Sequence, residues 1–205
     1  VNNPAKFQAD LRQETEVKAM IASCVRHFGR LDILINNAGW TRYVPDHELE
    51  GLDNDLVQRT LELKVHAPLY CIRAARPYLA AHGTGSVVNI TSVAGLAAKG
   101  SSIIYAAANA ALSNLTRSMA RALAPDIRVN AVAPGFVSTG WLWTQDPKAQ
   151  QRVAENNYIQ RVITPEEVAA AVYFLCAESP GITGEELVID GGIGRLGVKP
   201  RPYQS

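Results

Sequence analysis

The stretch Ser86–Ala111, SVVNITSVAGLAAKGSSIIYAAANAA, holds a short apolar strand from Val87 to Ile90, then a loop from Ser92 to Ser102, then an alanine-rich helix beginning near Ile103. The strand carries Ser92 past its carboxyl end, and thirteen residues later Tyr105 stands near the start of the helix, with Asn109 one turn on. Ligands of parallel α/β sheets bind at the carboxyl ends of the strands. A hydroxyl and a phenol converging there therefore point to chemistry rather than packing.

Outward from this stretch the chain alternates. Phe7 to Leu11 reads as a short strand ending in Asp10, and Glu14 to Phe28 places Val17, Met20, Ile21, Cys24, Val25 and Phe28 at helical spacing before Gly29 closes the helix. Leu31 to Ile35 is a near-continuous apolar run, the pattern of a strand buried on both faces, and it empties into Asn36-Asn37-Ala38-Gly39. Helical periodicity returns from Leu52 to about Ala81, with Pro68 inside it. The helix after Ser102 runs from Ile103 to Leu123, and Ile127 to Val132 is a further strand leading into Pro134-Gly135. Phe136 to Ile163 has no clean period, and its length suits a lid. Thr164-Pro165-Glu166-Glu167 is a capping-box start for a helix to about Ala177, and Glu186 to Ile189 is the last strand, before Asp190-Gly191-Gly192. Such alternation predicts βαβ units with right-handed crossovers. The expected fold is a doubly wound parallel sheet, a Rossmann-like three-layer α/β sandwich, forming one domain over residues 1–205 with an irregular start at 1–6 and a surface tail at 194–205.

Of the 205 residues, 47% are hydrophobic, enough for a substantial core in one unit. Lysine and arginine number 20 against 19 acids, with no run of like charge, so neither nucleic acid nor an anionic membrane is indicated as a partner. Cys24, Cys71 and Cys176 lie far apart in apolar helical sequence, as reduced core thiols do, and a cytoplasmic setting is expected. His27, His47, His66 and His82 show no ligand spacing, so no metal is expected. Asn36 and Asn130 read as amides that tie strand ends to loops. Trp141 and Trp143, which follow Thr139 into the expected lid, read as pocket walls.

Several motifs in this order make the chain resemble the short-chain dehydrogenase/reductase family: Asp10 after a strand, Asn36-Asn37-Ala38-Gly39, Ser92 with Tyr105, Asn130 in RVNAVAPG, Pro134-Gly135 with Thr139, and Thr183-Gly184 with Asp190-Gly191-Gly192. The resemblance implies an oxidoreductase that moves a hydride between NAD or NADP and a small-molecule alcohol or carbonyl substrate. On that resemblance Tyr105 exchanges the proton at the substrate oxygen and Ser92 holds that oxygen. Asp10 would meet the adenine, Asn37, Ala38 and Gly39 the ribose side, and Pro134, Gly135, Val137 and Thr139 the nicotinamide. A homodimer or homotetramer is implied as well.

Three departures from the family pattern stand out. Asn109 occupies the place, four residues after the tyrosine, where the family has a lysine. A unit charge about 5 Å from the phenol at an effective dielectric near 20 is worth roughly 3 kcal/mol, about two pKa units, and asparagine gives that up while keeping a hydrogen bond for the ribose. In LELKVHAP, Lys64 stands where the family usually has the asparagine of a proton relay, so the two residue types are exchanged. Pro68 has no N–H to offer the carbonyl of residue 64. Lys64 either reaches across to restore the charge beside Tyr105, making Lys64 and Asn109 part of the catalytic set with Ser92 and Tyr105, or extends to solvent and leaves a weak or silent member that serves as a binding or regulatory subunit. Thirdly, the glycine-rich pyrophosphate turn between a first strand and first helix is absent, so the expectation is that the first βαβ portion lies outside this sequence and that the sheet exposes an apolar edge.

Overall fold

The computed structural model describes residues 4–139 and 147–197. Four strands form one parallel sheet in the order β1 (Ile33–Asn36), β2 (Gly85–Ile90), β3 (Ile127–Pro134) and β4 (Glu186–Ile189). Helix α1 (Glu14–Phe28) precedes β1 and stops at Gly29, whose φ of 77° turns the chain. Between β1 and β2 run α2 (Asn54–Leu61) and α3 (Ala67–Leu79), joined by a π turn over Glu62–His66. That wide turn falls where the sequence predicts trouble. Pro68 cannot donate to the Lys64 carbonyl, and the Ala67 N–H reaches back to Glu62 instead, five residues away.

After β2 the expected loop contains one short helix, α4 (Ala94–Ala97), before α5 (Ile103–Leu123), which has the predicted bounds. Ser102 caps α5 by accepting the Tyr105 N–H at 3.2 Å. Beyond β3, α6 (Pro147–Asn156) occupies part of the segment read as irregular, because PKAQQRVAEN offers few apolar residues from which to read a period. Helix α7 (Pro165–Tyr173) opens on the predicted capping box, with Thr164 and Glu167 each serving the other's backbone, and continues as a π turn over Phe174–Glu178. A short α8 (Ile193–Leu196) follows β4. Trp141, Trp143 and the end of the tail lie outside the described residues. Among the described residues no helix is long and apolar enough to cross a membrane.

Alternation along the strands separates two cores. Val87 and Val129 face α1 and α3 through Val17, Ile21, Ile72 and Leu79, while Val88 and Val132 face α7 and the π turn after it through Ala171, Val172 and Leu175. Each such large aliphatic side chain contributes about 1.5–3 kcal/mol on burial. Arg128 anchors the α7 side, its guanidinium donating to the carbonyls of Leu175, Cys176, Ser179 and Ile182. Thr183 and Asn130 stitch β3 to the loop before β4, Asn130 donating to Ile182 and accepting from Glu185.

Two expectations are corrected. Phe7 to Leu11 is not a strand: among the described residues no strand lies beside it to pair with, Phe7 packs edge-on against His27 at 6.2 Å, and Asp10 is turned onto Arg12. Nor is β1 buried on both faces. In this sheet it stands at one edge, with Ile33 42% and Ile35 48% exposed, so its apolar run forms the open apolar edge that the sequence leads one to expect.

Gly95 illustrates how closely α4 lies on α5. A Cβ there would meet the Ala110 nitrogen at 2.6 Å and the Asn109 carbonyl carbon at 2.8 Å, both backbone atoms that cannot yield. Gly95→Ala is expected to destabilise the protein by about 1–3 kcal/mol, readable as a lower denaturation midpoint in urea.

Candidate active site

Because the strands are parallel, their carboxyl ends share one edge, and a cavity of about 1200 Å³ opens there. β1 leads into Asn37-Ala38-Gly39, β2 into Thr91 and Ser92, and β3 into Gly135, with Val137 held by a bridge to Ile163 and the Ser138 N–H on the Ile163 carbonyl at 2.9 Å. Tyr105 enters from the first turn of α5. All of these but Ser138 and Ile163 line the cavity, as do Pro134, Thr139 and Lys64.

Lys64 does not extend to solvent. It is 4% exposed, its ammonium donates to the Ile90 carbonyl at 3.0 Å, and its Nζ lies 5.7 Å from the centre of the Tyr105 ring. Gly39 makes this path possible, since a Cβ at that position would stand 3.0 Å from Lys64 Cε and 3.2 Å from Nζ. Burial disfavours the charged form and lowers the Lys64 pKa to about 8. The Tyr105 phenol is pushed in the opposite sense by the same cause: burial raises it, and hydrogen bonding from Ser92 and Asn109 draws it part of the way back. Lysine and tyrosine are therefore shifted so that the ammonium loses its proton before the phenol does.

Asn109 is fully buried and does not line the cavity; its amide folds back along α5 to donate to the Tyr105 carbonyl at 2.8 Å, and its Oδ1 has no hydrogen-bond partner. Asp10 also stands away from the cavity. Its carboxylate takes a bidentate pair from Arg12, which holds its pKa at about 2. Asn36 acts as the sequence suggests a tie would, donating to Asn89 at 2.8 Å. Residues that motif reading passes over also converge. The Thr41 and Ser101 hydroxyls meet at 2.7 Å, closing the loop after β1 onto the start of α5, and Glu186 accepts from both Thr91 and Ser113. Hydroxyls on loops carry no spacing signal, so only the fold reveals them.

The comparisons with known proteins agree with this architecture. Residues 1–194 match the family model described as enoyl-(acyl carrier protein) reductase. Cis-4-hydroxycyclohexanecarboxylate dehydrogenase of Sinomonas cyclohexanicum is 35% identical over 187 residues, covering 90% of this chain and 74% of that protein. The 3-oxoacyl-[acyl-carrier-protein] reductase of Thermotoga maritima is 34% identical over 189 residues, covering 91% and 76%. Among solved structures, ElxO with NADP bound superposes with a TM-score of 0.85 at 30% identity, over 92% of this chain and 77% of that one. The parallel sheet, the cavity at its carboxyl edge and these relatives together place the chain in the short-chain dehydrogenase/reductase family.

Proposed function

We propose that this protein reduces a carbonyl compound to an alcohol with a nicotinamide dinucleotide, Tyr105 giving the proton, Ser92 holding the substrate oxygen and Lys64 supplying the positive charge. The observation that carries this reading is the buried Lys64 ammonium beside the Tyr105 ring, on the wall of the cavity that Ser92 also lines. The nicotinamide and its ribose fit the chain's own residues: Gly39 leaves backbone open against Lys64, Pro134 to Val137 and Thr139 form an adjoining wall, and an ammonium with three donors uses one on Ile90. Lys64, Asn37, Ala38 and Gly39 would hold the ribose, and Pro134, Gly135, Val137 and Thr139 the nicotinamide. When bound, that group supplies the hydride. ElxO carries NADP, and assay with both cofactors distinguishes NADP from NAD for this chain.

As charge grows on the substrate oxygen, Ser92 and Tyr105 donate to it and the Tyr105 proton crosses to complete the alcohol. The tyrosinate left behind is stabilised by the Lys64 ammonium, which the low-dielectric wall strengthens. Asn109 donates to the Tyr105 carbonyl and so lies on α5 beneath the phenol rather than in the cavity. Near neutrality the phenol holds its proton and Lys64 its charge, the pair that proton delivery to the substrate oxygen needs.

The test is oxidation of NADPH and NADH by the protein with a panel of ketones, aldehydes and keto esters. Turnover with either cofactor is expected. Binding of neither cofactor at millimolar concentration overturns the proposal. The rate of reduction is expected to be level below pH 8 and to fall above it, as Lys64 gives up its proton at about 8. A profile that instead rises through that range contradicts the role given to the ammonium.

A further inference from the structure

The Glu186 carboxylate lies at the start of β4, two strands across the sheet from β2, yet it joins the parts of the chain that carry Ser92 and Tyr105. One oxygen, Oε1, accepts from the Thr91 hydroxyl at 2.6 Å and from the Ser113 hydroxyl at 2.6 Å. Both lengths are those of O–H···O⁻ bonds to an ionised acceptor, about 2.5–2.7 Å. Each hydroxyl also lies near a carbonyl, Thr91 at 3.0 Å from Val132 and Ser113 at 3.0 Å from Asn109. The Val132 carbonyl already accepts the Thr91 N–H at 2.8 Å, and the Asn109 carbonyl lies within the helical ladder of α5. The hydroxyl protons are thus free to go to the carboxylate. Thr91 and Ser113 are each 3% exposed, so these bonds form in a setting where charge assistance is little screened.

What the carboxylate joins matters. Thr91 is the residue before Ser92, and the residue before Thr91 is Ile90, whose carbonyl Lys64 grips from the other flank. Ser113 lies one turn beyond Asn109 and two beyond Tyr105 on α5. We propose that Glu186 is a positioning residue: by holding Thr91 and Ser113 on one oxygen it fixes the end of β2 against α5 and so sets the separation of Ser92 from Tyr105. Hydrogen-bonding groups in such a site must be held within about 0.5 Å to act together. This deepens the proposed function and rests on it for its kinetic consequence, though not for its geometric one.

Glu186→Gln keeps the size and one acceptor but removes the charge that shortens both bonds. With the ketone substrate, kcat is expected to fall about tenfold while the KM for cofactor stays within about twofold, since the group acts on the reacting geometry and not on binding. Ser113→Ala added to Glu186→Gln should cost little more than Glu186→Gln alone, because both remove the same link. Thr91→Ser, which retains the hydroxyl, should keep most of the rate that Thr91→Val loses. The deciding measurement is a crystal structure of the Glu186→Gln protein beside that of the parent: the Ser92 Oγ to Tyr105 Oη distance is expected to lengthen by about 0.5 Å or more. An unchanged distance overturns the proposal whatever the rates do, and so does a Glu186→Gln protein of full kcat that merely melts earlier. If the parent shows no turnover, the proposed function fails, and the crystallographic distance still decides the role of Glu186.

Discussion

A Lys64→Met protein is expected to lose carbonyl reduction by two to three orders of magnitude and yet, at pH 7, to be more stable than its parent. Both effects have one source. Lys64 is buried with its ammonium on the Ile90 carbonyl, and burial brings its pKa from 10.5 to about 8. Below pH 8 the lysine is protonated folded and unfolded alike, and the folded state bears the whole cost of the buried charge, on the order of 3 kcal/mol. Between 8 and 10.5 the unfolded chain keeps its proton while the folded chain releases it, so the parent gains stability as pH rises; above 10.5 both forms are neutral and the cost is gone. Methionine fills similar volume without charge. Its advantage should be about 2–3 kcal/mol at neutral pH, less whatever the lost bond to Ile90 contributes, and should shrink as pH approaches 10.5. Urea denaturation of both proteins across that range reads it directly. A variant less stable than the parent at pH 7, or one that retains its rate, contradicts the account. Moving the charge to the family's usual position, Lys64→Asn with Asn109→Lys, is expected to recover part of the rate lost by Lys64→Asn alone.

Much of this arrangement is legible in the amino-acid sequence. The bounds of α1 and α5 follow from apolar period, from the Gly29 stop and from the alanine-rich run after Ser102, all of which are local signals. Pro68 announces a defect in the helix near Lys64, and the π turn over Glu62–His66 is that defect. The failures share a different cause. Phe7 to Leu11 has strand composition, but a strand exists only through a partner, and partners are set by distant sequence. The apolar run of β1 is compatible with an open edge as well as with a central position, because side-chain type does not say what lies alongside. The direction of Lys64 is undecided in sequence for the same reason. It depends on Gly39 lying above it and on an Ile90 carbonyl within reach, neither of which is near it in the chain. Asn109 shows the converse: its i, i+4 spacing from Tyr105 puts it on the right face, but its amide donates back to its own helix, leaves Oδ1 without a partner and stays out of the cavity.

Tyr105→Phe should have the largest kinetic effect of all, a loss of carbonyl reduction of about 10³-fold or more, with cofactor affinity and stability nearly unchanged. The ring stays in place, with the residue's backbone N–H held by the Ser102 cap and the ring face beside the Lys64 side chain, so only the hydroxyl is removed. Without it the growing charge on the substrate oxygen has, of the two proposed donors, Ser92 alone. The Lys64 ammonium donates to Ile90, and 5.7 Å separates its Nζ from the centre of the ring. The comparison that isolates the proton is with Ser92→Ala, which removes a hydrogen bond and leaves the acid; it should cost less, about 10²-fold. Single-turnover reduction with cofactor prebound separates this loss from binding. If Tyr105→Phe turns over within tenfold of the parent, the proton comes from elsewhere and Tyr105 leaves the mechanism. If it binds neither cofactor, the phenol is part of the binding surface rather than the acid.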